Sequence, residues 1–331
     1  EIPLRLVGSE MCIRDRVKGV YHMEVMFLGT GAGSPSKTRN TQSMILDLRQ
    51  EIQELWMMDC GEGCQHQILN TSYTLGKVKR IFITHLHGDH IFGLFGAISS
   101  RSFQGGEGSK LFIYGPIGIK KLVDNVLKIT GTHLNYPIEI VEVNENDEFN
   151  INRFVVKVKP LQHTIKSFGY IICQEEQLGS IKVDALKNIG LKPGPLYKEI
   201  KTNNEFTHNG KTYLSKDFMT DSKKGINIAV LGDTMYFDDL ITTLRECDII
   251  IMECTYLEGD HATARKYGHI HLNDIRTIQS ECQMSACILT HLSNRYNNYD
   301  LQRIINDSIS TLPYKTYLAS DFKKFKFINH K

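Results

Sequence analysis

The 331-residue chain has no uninterrupted apolar stretch near the roughly 18 residues that a membrane-spanning helix needs, so no membrane span is expected. It has little net charge, because 39 Lys and Arg stand against 37 Asp and Glu to leave +2. A chain basic throughout is thereby excluded, and any contact with nucleic acid must come from a local patch. It has no Cys-x-x-Cys pair. "CGEGC" (Cys60, Cys64) puts three residues between its cysteines, and no second such pair completes a zinc finger. No apolar core of a secretion signal stands among the first residues, so the eight cysteines are expected as free thiols in a reducing cytoplasm. There is no internal repeat at a solenoid period. General disorder is excluded by a hydrophobic content of 41%, enough for a sizeable core.

Short apolar runs recur instead: "EVMFLG", "SMILDL", "LWMMDCG", "RIFITH", "LFIYGP", "FVVKVKPL", "GYIICQ", "INIAVLGD", "DIIIMEC", "ACILTHL" and "TYLASD". Several are continuous over four to six residues, as in strands buried on both faces. Segments such as "GIKKLVDNVLKIT" and "LNDIRTIQSECQM" read as helices between them, which predicts an α/β layered fold. Residues 1–22 show no helix or strand period, whereas "MEVMFLGTGAG" from Met23 reads as a natural start. "GSEMCIRDR" resembles translated sequencing-adapter text, so residues 1–22 are expected to be a non-native or disordered extension. Residues 23–331 are expected to form one domain. About 174–225 is polar, lysine-rich and bent by "KPGP", which predicts an inserted, projecting arm between two strong strands.

"IFITHLHGDHIFGL" (Ile81–Leu94) crowds His85, His87, Asp89 and His90 directly after an apolar run. Two apart in extended chain, His85 and His87 project to one side. Gly88 permits the turn that brings Asp89 and His90 to a neighbouring position. His163, Asp233 and His291 also follow strand-like runs. Together these are five histidines and two aspartates, more than one zinc can use, and two metals sharing Asp233 account for all seven. Nitrogen and oxygen donors alone suit zinc or manganese in an open, catalytic site. "GTGAGSPS" (Gly29–Ser36) is not a dinucleotide fingerprint, since its glycines are spaced GxGxG and a loop and strand follow rather than a helix. No nucleotide cofactor is expected. His66, His133, His208 and His261 have no partners at ligand spacing, and "RSFQGGEGSK" (Arg101–Lys110) reads as a flexible loop.

The HxHxDH motif followed by His, Asp and His at strand ends resembles the metallo-β-lactamase superfamily. With "DCGEGCQHQIL", "SFGY", "LGDT", "HLSNRY" and the KPGP arm, the chain from Met23 to about Phe327 is similar to the ribonuclease Z family in its short bacterial form. That resemblance implies a four-layer αβ/βα sandwich, with two zinc ions per subunit. One would be held by His85, His87 and His163, the other by Asp89, His90 and His291, with Asp233 between them. It implies a homodimer that cuts precursor tRNA after the discriminator base, leaving a tRNA 3′-hydroxyl and a trailer 5′-phosphate. A metal-activated water would attack the phosphorus. Asp89 would orient that water and take its proton. His269, oriented by Glu253, would protonate the departing ribose 3′-oxygen. Two motifs depart from the family pattern: "MECTY" keeps only Glu253 and Thr255 of "HEAT", and "YGHIHLND" has Ile270 and His271 where Ser-Thr is usual. "YGH" favours His269 over His271. Lys182, Lys187, Lys192, Lys198 and Lys201 of the arm would contact RNA phosphates. Another hydrolase of the same superfamily, acting on small phosphodiesters or (thio)esters, would share the metals but have no need of the arm.

Overall fold

The computed structural model describes residues 11–12, 22–176, 178–222, 224–259 and 261–328. The expectation for residues 1–22 lies outside these, except at Met11, Cys12 and His22. An eight-stranded sheet runs, in spatial order, Met11–Cys12, Lys324–Ile328, His22–Gly29, Ser43–Leu48, Glu54–Met58, Val78–Phe82, Leu111–Pro116 and Ile138–Val143. Glu54–Met58 and the strands beyond it pair in parallel, and those from Lys324–Ile328 to Glu54–Met58 pair antiparallel. A seven-stranded sheet runs Thr316–Leu318, Ala286–Thr290, Ile249–Glu253, Asn227–Leu231, Ser167–Gln174, Phe154–Leu161 and Glu148–Ile151. Its first four strands are parallel.

The two sheets meet through an aromatic layer that the period-2 alternation of strands creates. Trp56 points inward while its neighbours Leu55 and Met57 point out, and Phe82 does so between Ile81 and Ile83. Phe154 and Tyr170 answer from the second sheet: Trp56 lies 5.7 Å from Phe154 and Phe82 lies 5.1 Å from Tyr170, centroid to centroid. The Tyr170 hydroxyl donates across the gap to Ile83 O at 2.8 Å. On the outer face of the first sheet, Leu55, Met57 and Ile81 pack on helices Cys64–Leu69, Leu94–Arg101 and Ile119–Thr130. On the outer face of the second, Ala229, Ile250 and Leu289 pack on helices Asp238–Leu244, Leu272–Glu281 and Asn298–Asp307. Helix, sheet, sheet and helix are the four layers expected.

By internal contacts the chain divides into two compact units. The described part of Glu1–Cys173 together with Asn227–Ile328 forms one, and Gln174–Ile226 forms the body of the other. The second unit contains helices Val183–Asn188 and Leu196–Thr202. It also holds a hairpin of Glu205–His208 with Lys211–Leu214, whose turn at Asn209 and Gly210 has positive φ at both residues. Leu186, Leu191, Ile200 and Phe206 form its own small core. The segment Arg101–Lys110, expected as a flexible loop, is tied down. Arg101 is 1% exposed, donates to Val78 O, Gly106 O and Ser109 Oγ, and stacks 4.1 Å from the Tyr136 ring centroid. A long cation that buries its stem against an aromatic ring is poorly signalled by composition.

Because Trp56 is fully buried between two other rings, Trp56→Ala should lower unfolding free energy by about 3–5 kcal/mol. Denaturant titration checks this, and a loss under about 1 kcal/mol would contradict the aromatic layer as the sheets' main contact.

Candidate metal centre

Each of the seven metal ligands expected from the sequence sits a few residues beyond the carboxyl end of a strand, where open α/β sheets place their ligands. Val78–Phe82 leads into His85, His87, Asp89 and His90, and Phe154–Leu161 leads into His163. Asn227–Leu231 leads into Asp233, and Ala286–Thr290 into His291. The structure brings all seven together. His85, His87 and His163 form one group able to hold a metal ion, and Asp89, His90 and His291 form another. Asp233 joins His85 and His90 in a third, its Oδ1 3.4 Å from His90 Nε2 and its Oδ2 3.8 Å from His85 Nε2.

The hydrogen bonds on the outer ring nitrogens decide what faces inward. Asp59 accepts from Thr84 N at 2.8 Å, from Thr84 Oγ1 at 2.9 Å and from His90 Nδ1 at 2.8 Å. Since the Thr84 hydroxyl donates to Asp59, it accepts from His85 Nδ1 at 3.0 Å. His163 Nδ1 donates to Gly268 O at 2.8 Å. The Thr255 hydroxyl donates to Glu253 at 2.7 Å and so accepts from His291 Nδ1 at 2.9 Å. With an Nδ1 proton committed to each of these acceptors, four histidines turn Nε2 inward. Nε2 of His90 and Nε2 of His291 are 3.2 Å apart; His85 and His163 bring theirs to 3.1 and 3.2 Å from His87 Nδ1. Two bare lone pairs at that distance repel unless a proton or a metal ion lies between them, and two ligands on one tetrahedral zinc stand about 3.3 Å apart. The donor set fits a metal.

Electrostatics agree. Burial, followed by the neighbouring imidazoles, lowers the pKa of His85 and of His87, which keeps their nitrogens available. Burial alone would raise Asp233 and Asp89, but the surrounding histidines outweigh it and hold both carboxyls well below their usual range. On His90, burial is outweighed by Asp233 and Asp59, so its pKa rises, and a proton there competes with a metal for the same nitrogen. Asp59 and His291 both have left-handed backbones, at φ 56° and 55°. Such conformations carry about 1 kcal/mol or more of strain, which the surrounding bonds must over-determine.

Of the two candidate histidines in "YGHIHLND", His269 lies beside Glu253, with Nδ1 to Oε1 at 2.9 Å. His271 instead caps helix Leu272–Glu281, where its Nδ1 accepts from Asn273 N. Burial by itself would lower the His269 pKa, but the charge and hydrogen bond of Glu253 push it up to about 9. His269 also falls within reach of a metal alongside His163 and Asp233, or alongside Glu253 and His291. Sequence reasoning assigned nothing to Asp59, Thr84, Thr255 or the Gly268 carbonyl. Asp59 had a signal in "DCGEG", an aspartate ending a buried strand. The carbonyl had none. The "GTGAG" segment reaches the site, where Gly33 N donates to Asp89 Oδ2 at 2.7 Å. A cleft of about 570 Å³ opens over these groups, with Tyr256, Tyr267 and Arg295 on its walls. His261 lies outside the cluster and bonds Asp274 at 2.8 Å.

Two facing sheets with helices outside and a His/Asp cradle at their strand ends define a metallo-β-lactamase-fold protein. The metallo-β-lactamase-fold protein YhfI of Bacillus subtilis superposes with a TM-score of 0.62 at 14% identity, over 92% of this chain and all of that one. Human tRNase Z, short form, superposes with a TM-score of 0.65 at 26% identity, over 91% of this chain and 98% of that one. A family profile described as "Anti-Pycsar protein Apyc1" matches residues 23–184. Ribonuclease Z of Macrococcus caseolyticus is 45% identical over 303 residues, 92% of this chain and 99% of that protein. The chain belongs to the ribonuclease Z family.

Asp59 orients His90 directly and His85 through Thr84, so Asp59→Asn should weaken metal binding by about 10–100-fold with all seven inward groups intact. Competition against a chromogenic chelator measures this, and unchanged affinity in a folded variant would refute Asp59 as the anchor.

Proposed function

We propose that the chain removes the 3′ trailer from precursor tRNA, cutting after the discriminator base to leave a tRNA 3′-hydroxyl and a trailer 5′-phosphate. The observation that carries this is the convergence of seven inward-facing ligand groups beside a His269–Glu253 pair whose carboxylate is buried, in a chain of the ribonuclease Z family. His85, His87 and His163 would hold one metal and Asp89, His90 and His291 the other, with Asp233 available to both. Zinc fits best and manganese next, because the donors are nitrogen and oxygen. When bound, the two ions acidify a water and neutralise charge on the scissile phosphate.

The remaining work falls to the chain. Asp89, ionised and held by a hydrogen bond from Gly33 N, accepts the proton of the attacking water. His269 keeps Nδ1 on Glu253, which leaves Nε2 to protonate the ribose 3′-oxygen as it departs. The Glu253 carboxylate is used on every side, accepting also from Thr234 N and from Thr255, so His269 is held in one orientation. The unit 174–226 grips the tRNA body. Lys182, Lys187, Lys192, Lys198 and Lys201 are all exposed on it, although Lys187 pairs with Asp184 at 3.1 Å. The working form is a homodimer acting in the cytoplasm, where tRNA matures. Among the described residues, no helix is long and apolar enough to cross a membrane.

With zinc and a 3′-extended precursor tRNA, mapping should show one cut just after the discriminator base. His87→Ala and Asp233→Ala should abolish it together with metal binding. His269→Ala should lower the rate by about 10²–10⁴-fold while metal content stays at the wild-type level; loss of metal would make His269 a ligand instead. Replacing Lys192, Lys198 and Lys201 by alanine should weaken precursor binding and flatten its salt dependence. Hydrolysis of bis(p-nitrophenyl) phosphate should be spared, and an equal loss on both substrates would remove the arm from recognition.

A further inference from the structure

The helix His261–Lys266 ends in a turn that fixes two side chains at once. His269 N donates to Ala264 O at 2.9 Å and Gly268 N to Arg265 O at 3.1 Å, the paired bonds of a helix stop, with Gly268 at φ 73°. The Gly268 carbonyl is in turn held by His163 Nδ1. A Cβ at Gly268 would come within 2.9 Å of that same nitrogen, so the turn has no slack. On one side of it His269 goes inward to Glu253. On the other, Tyr267 stands on the wall of the cleft with half its surface open, at 50%. Among the described residues it is the one large, exposed apolar or aromatic side chain that lines this cleft. Two cations accompany the aromatic wall: Lys266 Nζ lies 5.5 Å from the Tyr267 ring centroid, and the Arg295 guanidinium lies 4.7 Å from that of Tyr256.

A tyrosine needed only for packing would be covered. One held rigidly beside the proton donor, with its ring open to the cleft, matches how proteins receive an unpaired base, by stacking on an aromatic face with cations near the flanking phosphates. We propose that Tyr267 forms a nucleobase-stacking subsite for the discriminator base, the base on the 5′ side of the scissile phosphate. The assignment to that side rests on the function proposed above, in which His269 protonates the 3′-oxygen of the same nucleotide. Tyr267 lies two residues from His269 across a rigid turn, so base and leaving oxygen are placed together. Stacking accepts any base, so the subsite fixes position along the strand and not sequence.

The test is a binding and cleavage cycle on zinc-loaded protein. Wild type, Tyr267→Ala and Tyr267→Phe are each given precursor tRNA with a normal or an abasic discriminator nucleotide. Tyr267→Ala should raise Kd about tenfold or more, and Tyr267→Phe should restore it to within about twofold. The abasic substrate should cost wild type a similar factor and cost Tyr267→Ala nothing further. Multiplying losses, equal loss in Ala and Phe, or no loss in Ala would each overturn the subsite. An abasic first trailer nucleotide that reproduced the effect in place of the discriminator would overturn the assignment of the base. Failure of wild type to cut any precursor would overturn the functional reading, and is distinguishable because it appears before any variant is compared.

Discussion

Five imidazole nitrogens and two ionised carboxylates are turned toward one another, an arrangement suited to holding a cation. Ring nitrogens lie 3.1–3.2 Å apart, where two bare lone pairs would repel, and Asp89 and the buried Asp233 add negative charge. The cluster persists because each outer ring nitrogen of His85, His90, His163 and His291 is committed elsewhere, to Thr84, Asp59, Gly268 or Thr255. A cation placed among these groups turns repulsion into coordination. Its binding free energy then adds to folding stability, since the unfolded chain has no such site.

The scaffold divides this labour between its two sheets. Under the first, Asp59 holds His90 directly and His85 through a threonine hydroxyl. Under the second, Glu253 holds His269 directly and His291 through another threonine hydroxyl. Each carboxylate is buried at the end of a strand, and each is saturated with donors. The aromatic layer of Trp56, Phe82, Phe154 and Tyr170 fixes the separation of the sheets, and with it the distance between the two halves of the cradle. An error there would reach the site undiminished, because the ligands follow the strands by only a few residues.

Most of the cradle was legible in the sequence because the ligands follow strand-like runs, several of them continuously apolar, and such runs are poor candidates for anything but buried strands. The expected strands "SMILDL", "LFIYGP" and "FVVKVKPL" coincide with those observed. Strands that were not anticipated, Ile138–Val143 and Glu148–Ile151, are only partly buried and alternate with charged residues, so no apolar run marks them. The small core of residues 174–226 was not legible, since Leu186, Ile200 and Phe206 are scattered among lysines. The supporting groups were the least visible. Asp59, Thr84 and Thr255 act through hydrogen bonds set by backbone direction, and the Gly268 carbonyl has no side chain to announce it. The preference for His269 over His271 came from the family pattern, and geometry gives the physical reason: a residue at the start of helix Leu272–Glu281 is already committed to capping it.

The central claim is that this cluster is built around two cations. The most direct measurement strips the protein with a chelator, reloads it with zinc, and counts bound metal per chain by plasma mass spectrometry after gel filtration. The account predicts two ions per chain in the wild type. A folded wild type that retains one ion or none would contradict it.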